Sequence, residues 1–204
     1  MPARKLAICT AAALCAACSA CAAQQPEQNH AVSATSAASA ASQMQNARQQ
    51  CSALKSLSLY NTTITQVQWV QAGALPTDGN AAMTGSSGQD SQVAAHCLVE
   101  GEIERRTGAN GKAYATNFQP RLPESWNGKF LFQGGGGMNG FLAPAVGRIP
   151  VRGSTAAPAL QRGYAVVSTD GGHQGRNDGS FGADQQARLD LAYTAIGKVT
   201  VAAK

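Results

Sequence analysis

The chain has 204 residues, of which 44% are hydrophobic, only 5% aromatic and 13% charged, with a formal net charge of +5. That length holds one domain whose core needs no metal or crosslink to be stable. No basic run is longer than the two residues of Arg105–Arg106, so no stripe tracks a phosphate backbone, and nucleic acid is excluded as a partner.

Residues 1–23 read as a secretory signal peptide: Arg4 and Lys5, an apolar run from Leu6 to Cys21, and the small triplet Ala20, Cys21, Ala22. The run is too short and alanine-rich to span a membrane. Cys15, Cys18 and Cys21 are spaced like metal ligands but lie inside the removed segment. Cys18 and Cys21 each follow two small residues, so a lipid anchor at Cys18 or Cys21, on an outer-membrane lipoprotein, is the alternative to cleavage and release into the periplasm or medium. Losing Arg4 and Lys5 lowers the charge from +5 to +3.

Residues 24–50 are rich in Ala, Ser and Gln without apolar periodicity, which predicts a disordered leader. The folded domain is expected over 51–204. Thr62–Val70 alternates at strand period. Cys97–Arg105 and Tyr114–Phe118 flank the turn residues Gly108, Asn110 and Gly111 and read as an antiparallel pair. Cys51 and Cys97 survive signal removal into an oxidising compartment, which predicts a disulfide between them.

Trp126–Asn127–Gly128 predicts a turn, followed by a short buried strand over Lys129–Gln133 and then by Gly134, Gly135, Gly136 and Gly137. A second apolar strand fills 163–169, ending at Asp170 and the Gly171–Gly172 turn. Asp184 is placed to cap a helix with Leu189, Ala192, Tyr193, Ile196 and Val199 on its apolar face, a pattern still running near Lys204. Two buried strands with glycine loops at their ends and a trailing helix indicate an α/β sheet.

Gly135, Gly137 and Gly140 satisfy G-x-G-x-x-G after a strand, with Asp170 ending the next. A dinucleotide site also needs a helix opening at the third glycine, and Pro144, Gly147 and Pro150 deny one. Glycines at the end of a central strand can instead leave backbone N–H groups bare toward a developing oxyanion. On spacing alone, a glycine-rich turn without a binding role is the competing reading.

The run Trp126-Asn127-Gly128-Lys129-Phe130-Leu131 into Gly134–Gly137 and Asn139-Gly140 is similar to a segment of the tannase and feruloyl esterase family. Arg162-Gly163-Tyr164-Ala165-Val166-Val167-Ser168-Thr169-Asp170-Gly171-Gly172-His173 resembles a second marker of that family. The resemblance implies the N-terminal portion of an α/β-hydrolase sheet, incomplete in this chain. It also implies a serine esterase acting on esters of aromatic acids, with a Ser, Asp and His triad and a lid that often binds calcium.

Gly134, Gly135, Gly136 and Gly137 are then the oxyanion-hole candidates, while no catalytic residue, metal ligand or cofactor is expected in this chain. The nucleophile elbow, the Asp, the His and the lid are expected beyond Lys204, leaving the chain inert alone. Ser87 lacks the second glycine of an elbow. His30 falls in the leader, His96 in a strand, and Asp170 and His173 are read as organising the loop after the second strand through hydrogen bonds. The alternative is a non-catalytic secreted or lipid-anchored binding module built on an esterase-like half fold.

Overall fold

A computed structural model describes residues 28–74, 92–109, 111–149 and 156–204; Asn110, Ser87, Cys15, Cys18 and Cys21 lie outside them. The chain forms two compact units, residues 1–38 and 39–204, and the second carries the sheet. The strands are β1 (Thr62–Val70), β2 (Gly73–Ala74), β3 (Gln92–Val93), β4 (His96–Thr107), β5 (Ala113–Pro123), β6 (Phe130–Phe132) and β7 (Ala165–Thr169). Helix α1 spans Gln28–Ala53, α2 Gln185–Leu189 and α3 Ala195–Ala202, the last two joined by a π-helical turn at Asp190–Thr194.

Five strands form one mixed sheet in the order β1-β4-β5-β7-β6, and β2 pairs with β3 separately. The β4–β5 pair is antiparallel, as its alternation and turn residues predict, and β1 adds to β4 antiparallel. The turn between them closes through Gly108 N to Lys112 O at 2.8 Å and Gly111 N to Gly108 O at 3.0 Å. Among the described strands, β6 and β7 are the pair that runs parallel.

Alternation along the strands sorts the core onto two faces. Phe118, Val167, Phe130 and Phe132 pack beneath Val199 of α3. Leu131 and Val166 face the opposite way, against Val146, Ala159 and Leu160 from the long connection between β6 and β7. The two sequence markers meet at the strand entrances: Asn127 N bonds to Gly163 O at 2.9 Å, and Asn127 Nδ2 to Arg162 O at 2.8 Å. Gly163 adopts φ +84°, and a β-carbon there would stand 2.8 Å from Ser125 O, so the crossing requires glycine.

The predicted disulfide is present: Cys51 and Cys97, both buried, have Cα atoms 5.5 Å apart and tie the end of α1 to β4. Three expectations need correction. The predicted disordered leader is helical from Gln28, because its alanines favour helix even without an apolar stripe and its last turn is fastened at Cys51. Strand β6 is half-buried rather than buried, since among the described residues it lies at the sheet edge with a neighbour on one side.

The third correction concerns the face of the last helix. Of the five residues assigned inward, only Val199 is buried, while Tyr193 and Ile196 are 63% and 53% exposed. The π turn inserts one residue into the repeat, so Ala187, Asp190, Ala195 and Val199 point inward instead.

A polar network underlies β4 and β5. His96 is fully buried; its Nδ1 donates to Ala94 O at 2.7 Å, and its Nε2 accepts from Arg121 Nη1 at 2.8 Å. Arg121 Nε donates to Gln119 Oε1 at 3.1 Å, and Gln119 Nε2 to Glu100 Oε1 at 2.8 Å. Burial holds the His96 pKa below its ordinary 6.5, against the pull of the Ala94 carbonyl, and the Arg121 charge lowers it further.

The unfolded chain therefore takes up a proton that the folded chain resists. The stability held by neutral His96 is complete above about pH 6.5 and declines as the pH falls from there toward the lowered folded value. Urea melts from about pH 7.5 down to about pH 5 should show a falling midpoint, and His96→Gln should flatten the decline.

Candidate functional site

The two parallel strands end on the same side of the sheet, the end at which open α/β sheets bind ligands. Each strand leads into a glycine loop, 134–140 after β6 and 170–175 after β7. Gln133 starts the first loop with its backbone still in register, its N donating to Val167 O at 2.7 Å. Its side chain braces the connection beyond, with Nε2 donating to Pro144 O at 3.1 Å and Oε1 accepting from Gly147 N at 2.7 Å. Residues 140–149 contain no helix, consistent with rejecting the dinucleotide reading.

Gly134, Gly135, Gly136 and Gly137 are all exposed, and none of their N–H groups meets an acceptor among the described residues. A β-carbon at 134, 136 or 137 would enter open space. Gly135 is different: a β-carbon there would stand 2.1 Å from Asn139 Oδ1, so the Asn139 amide occupies the place of a side chain. That amide is held from its other end by Nδ2 donating to Thr169 O at 3.0 Å, while Asn139 N donates to Gly136 O at 3.2 Å. Asn139 itself is left-handed, at φ 44°, a conformation that asparagine tolerates.

The loops are sewn together by Gly140, whose N donates to Asp170 O at 2.9 Å and whose O accepts from Gly175 N at 2.9 Å. Asp170 stands at the head of the second loop. Its buried carboxylate accepts from Asn117 N at 3.1 Å, Asn117 Nδ2 at 2.7 Å, Gly172 N at 2.9 Å and Gln174 Nε2 at 2.8 Å. Burial pushes its pKa above the usual carboxylate value, and the four donors pull back against that rise.

His173 does not hydrogen-bond the loop as expected; neither ring nitrogen has a partner among the described residues, and the ring stacks on Phe181. The loop is held instead by Asp170 and by the fit of Gly172 against Asp190, whose Cβ lies 2.4 Å from where a Gly172 β-carbon would be. Asp190 is fixed in turn by Lys198 at 2.8 Å, Gln186 at 3.0 Å and the Thr194 hydroxyl.

Sequence reasoning missed the roles of Gln133 and Asn139, which act across 14 and 30 residues of chain. The Asn139-Gly140 pair carried a usable signal, since Asn-Gly marks a left-handed turn. Chemically, the assembly offers a row of bare amide donors at a strand end, fixed from behind by side-chain amides. Unengaged amides of this kind are free to donate hydrogen bonds to an oxygen bound beside them.

A family model described as tannase and feruloyl esterase matches residues 97–204. A mono(2-hydroxyethyl) terephthalate hydrolase of Piscinibacter sakaiensis is 44% identical over 117 residues, covering 53% of this chain and 19% of its own length. An uncharacterised esterase of Agrobacterium fabrum is 34% identical over 166 residues, covering 78% of this chain and 28% of its own. Among solved structures, feruloyl esterase B from Aspergillus oryzae superposes with a TM-score of 0.55 at 24% identity, over 76% of this chain and 27% of that one, a likeness of fold. The chain thus spans 19% to 28% of the length of these curated relatives.

Proposed function

Because the chain belongs to the tannase and feruloyl esterase family, and its sheet is the N-terminal portion of an α/β-hydrolase sheet, we propose that it supplies the oxyanion side of a serine esterase acting on esters of aromatic acids. The observation that carries this reading is the run of exposed, unengaged glycine amides after β6, with Asn139 locked behind Gly135. In the working enzyme, a serine outside these 204 residues attacks the ester carbonyl. The amides of Gly135 and Gly136 then hold the oxygen as it becomes negative. The Asp and His that activate the serine, and the lid with its calcium, belong to that same outside portion. The Cys51–Cys97 disulfide supports an extracytoplasmic location, reached through the signal segment.

Two assays test this. The chain alone should hydrolyse methyl gallate, methyl ferulate or a nitrophenyl ester no faster than buffer. Joined to the downstream portion of the terephthalate-ester hydrolase relative, it should hydrolyse them, and Gly136→Pro, which deletes one N–H, should lower kcat roughly a hundredfold. Hydrolysis by the chain alone would refute the missing-nucleophile assignment. A fully active Gly136→Pro chimera would refute the oxyanion one.

A further inference from the structure

The loop after β7 supplies no group to the oxyanion reading, yet the loop that does supply them leans on it. Asn139 stands between the two. Its Oδ1 lies 2.1 Å from where a β-carbon on Gly135 would be, and its Nδ2 lies 3.0 Å from where one on Gly171 would be, so the amide is wedged between one bare Cα from each loop. Gly135 must lack a side chain for that reason, and Gly171 also because its φ is +78°.

The wedge is fixed at its polar ends. Nδ2 donates to the carbonyl of Thr169, the last residue of β7, at 3.0 Å, and the Thr169 hydroxyl donates in turn to Asn117 O on β5 at 2.7 Å. From the backbone, Asn139 N donates to Gly136 O at 3.2 Å and closes a turn over 136–139. A line of contacts therefore runs from β5 through Thr169 and Asn139 to the Cα of Gly135 and the carbonyl of Gly136. The amides of those two glycines bond to nothing among the described residues, and glycine has the widest backbone freedom of any residue, so their direction has to be imposed from outside.

We propose that Asn139 is a positioning residue through which the loop after β7 sets the direction of the Gly135 and Gly136 amides. Its effect on the rate rests on the oxyanion reading, whereas the clamp itself does not.

The test uses the full chain, 15N-labelled. Although unbonded, the Gly135 and Gly136 amides should be rigid, with order parameters of about 0.85. Asn139→Asp, which keeps the shape but offers Thr169 O no donor at neutral pH, should drop them below about 0.6 while the β4 amides stay unchanged. Low values in the unsubstituted chain, or unchanged values in the aspartate variant, would overturn the proposal. If that variant does not fold, a double-substitution cycle decides: Gly135→Ala should lower the urea midpoint in the native background and have little effect in an Asn139→Gly background, and equal effects are fatal. In the chimera with the terephthalate-ester hydrolase portion, Asn139→Gly should lower kcat about tenfold with KM unchanged. An unchanged kcat beside a slowed Gly136→Pro chimera would also overturn the proposal. A Gly136→Pro chimera that keeps its rate is instead the failure of the oxyanion reading, and the order parameters then judge the clamp.

Discussion

Reducing the Cys51–Cys97 bond, or replacing both residues with serine, should lower the unfolding free energy by about 4 kcal/mol. The sequence separation of 46 sets this magnitude, because the crosslink removes that loop's closure entropy from the unfolded chain. The folded side adds a local effect. The bridge lies in a cluster with Val99, Leu54, Val67, Trp69 and Leu122, and it fastens the last turn of α1 to β4. A helix without an apolar stripe has little else to keep it helical, so its C-terminal turns should fray when the bridge is cut. Urea melts with and without a phosphine reductant would give the free energy, and far-ultraviolet dichroism would report the helix. A loss under about 1 kcal/mol would mean that the unfolded chain is already held compact by other contacts.

Asp184→Ala should be the second most damaging substitution, costing about 3 kcal/mol. Asp184 caps α2 by accepting from Ala187 N at 2.8 Å and takes Arg106 in a two-pronged pair at 2.6 and 3.0 Å. It also accepts from Ala109 N at 3.2 Å, so one carboxylate joins the β4–β5 turn to the start of the last helix. Alanine removes the cap and leaves the guanidinium without its partner. The Arg106 side chain keeps 27% of its exposure, so water offsets part of the loss and the figure stays below that of a fully buried pair.

Asp184→Asn keeps the cap and should cost about half as much. The hydrogen bond from Arg106 is the largest cause of an Asp184 pKa far below the ordinary carboxylate range. A lowered folded pKa means that this stabilisation is present above about pH 4 and is lost as the pH falls through the acid range. Acid titrations followed by dichroism should therefore show a smaller decline for Asp184→Asn than for the unsubstituted chain. Equal declines would mean that the pair contributes little.

How far the fold could be read from the sequence depended on whether each signal was local. That β1 is a strand, the turn glycines 108 and 111, and the Asp184 cap rest on signals within a few residues of what they determine, and each was legible; the strict alternation along β1 was not kept, because a bulge between Ile64 and Gln66 turns Ile64 and Val67 toward the same cluster. The glycine run after β6 was legible for the same reason. The inward face of the last helix was not, because one extra residue in the π turn rotates everything after Asp190, and helical periodicity assumes a constant repeat. The helix in the leader was missed because it has no apolar stripe, the signal by which helices are read, although its alanines favour helix. The bracing of Gly135 by Asn139 was hidden because the anchor, Thr169 O, comes from another strand.

Strand β6 has a further consequence for anyone handling the purified material. With Phe130, Leu131 and Phe132 half-exposed and one side of the strand without a neighbour among the described residues, its backbone is a template for any extended segment that drifts alongside. Homogeneity should then depend on dilution. Light scattering should climb with protein concentration, and a signal per unit mass that stays constant on dilution would count against this edge.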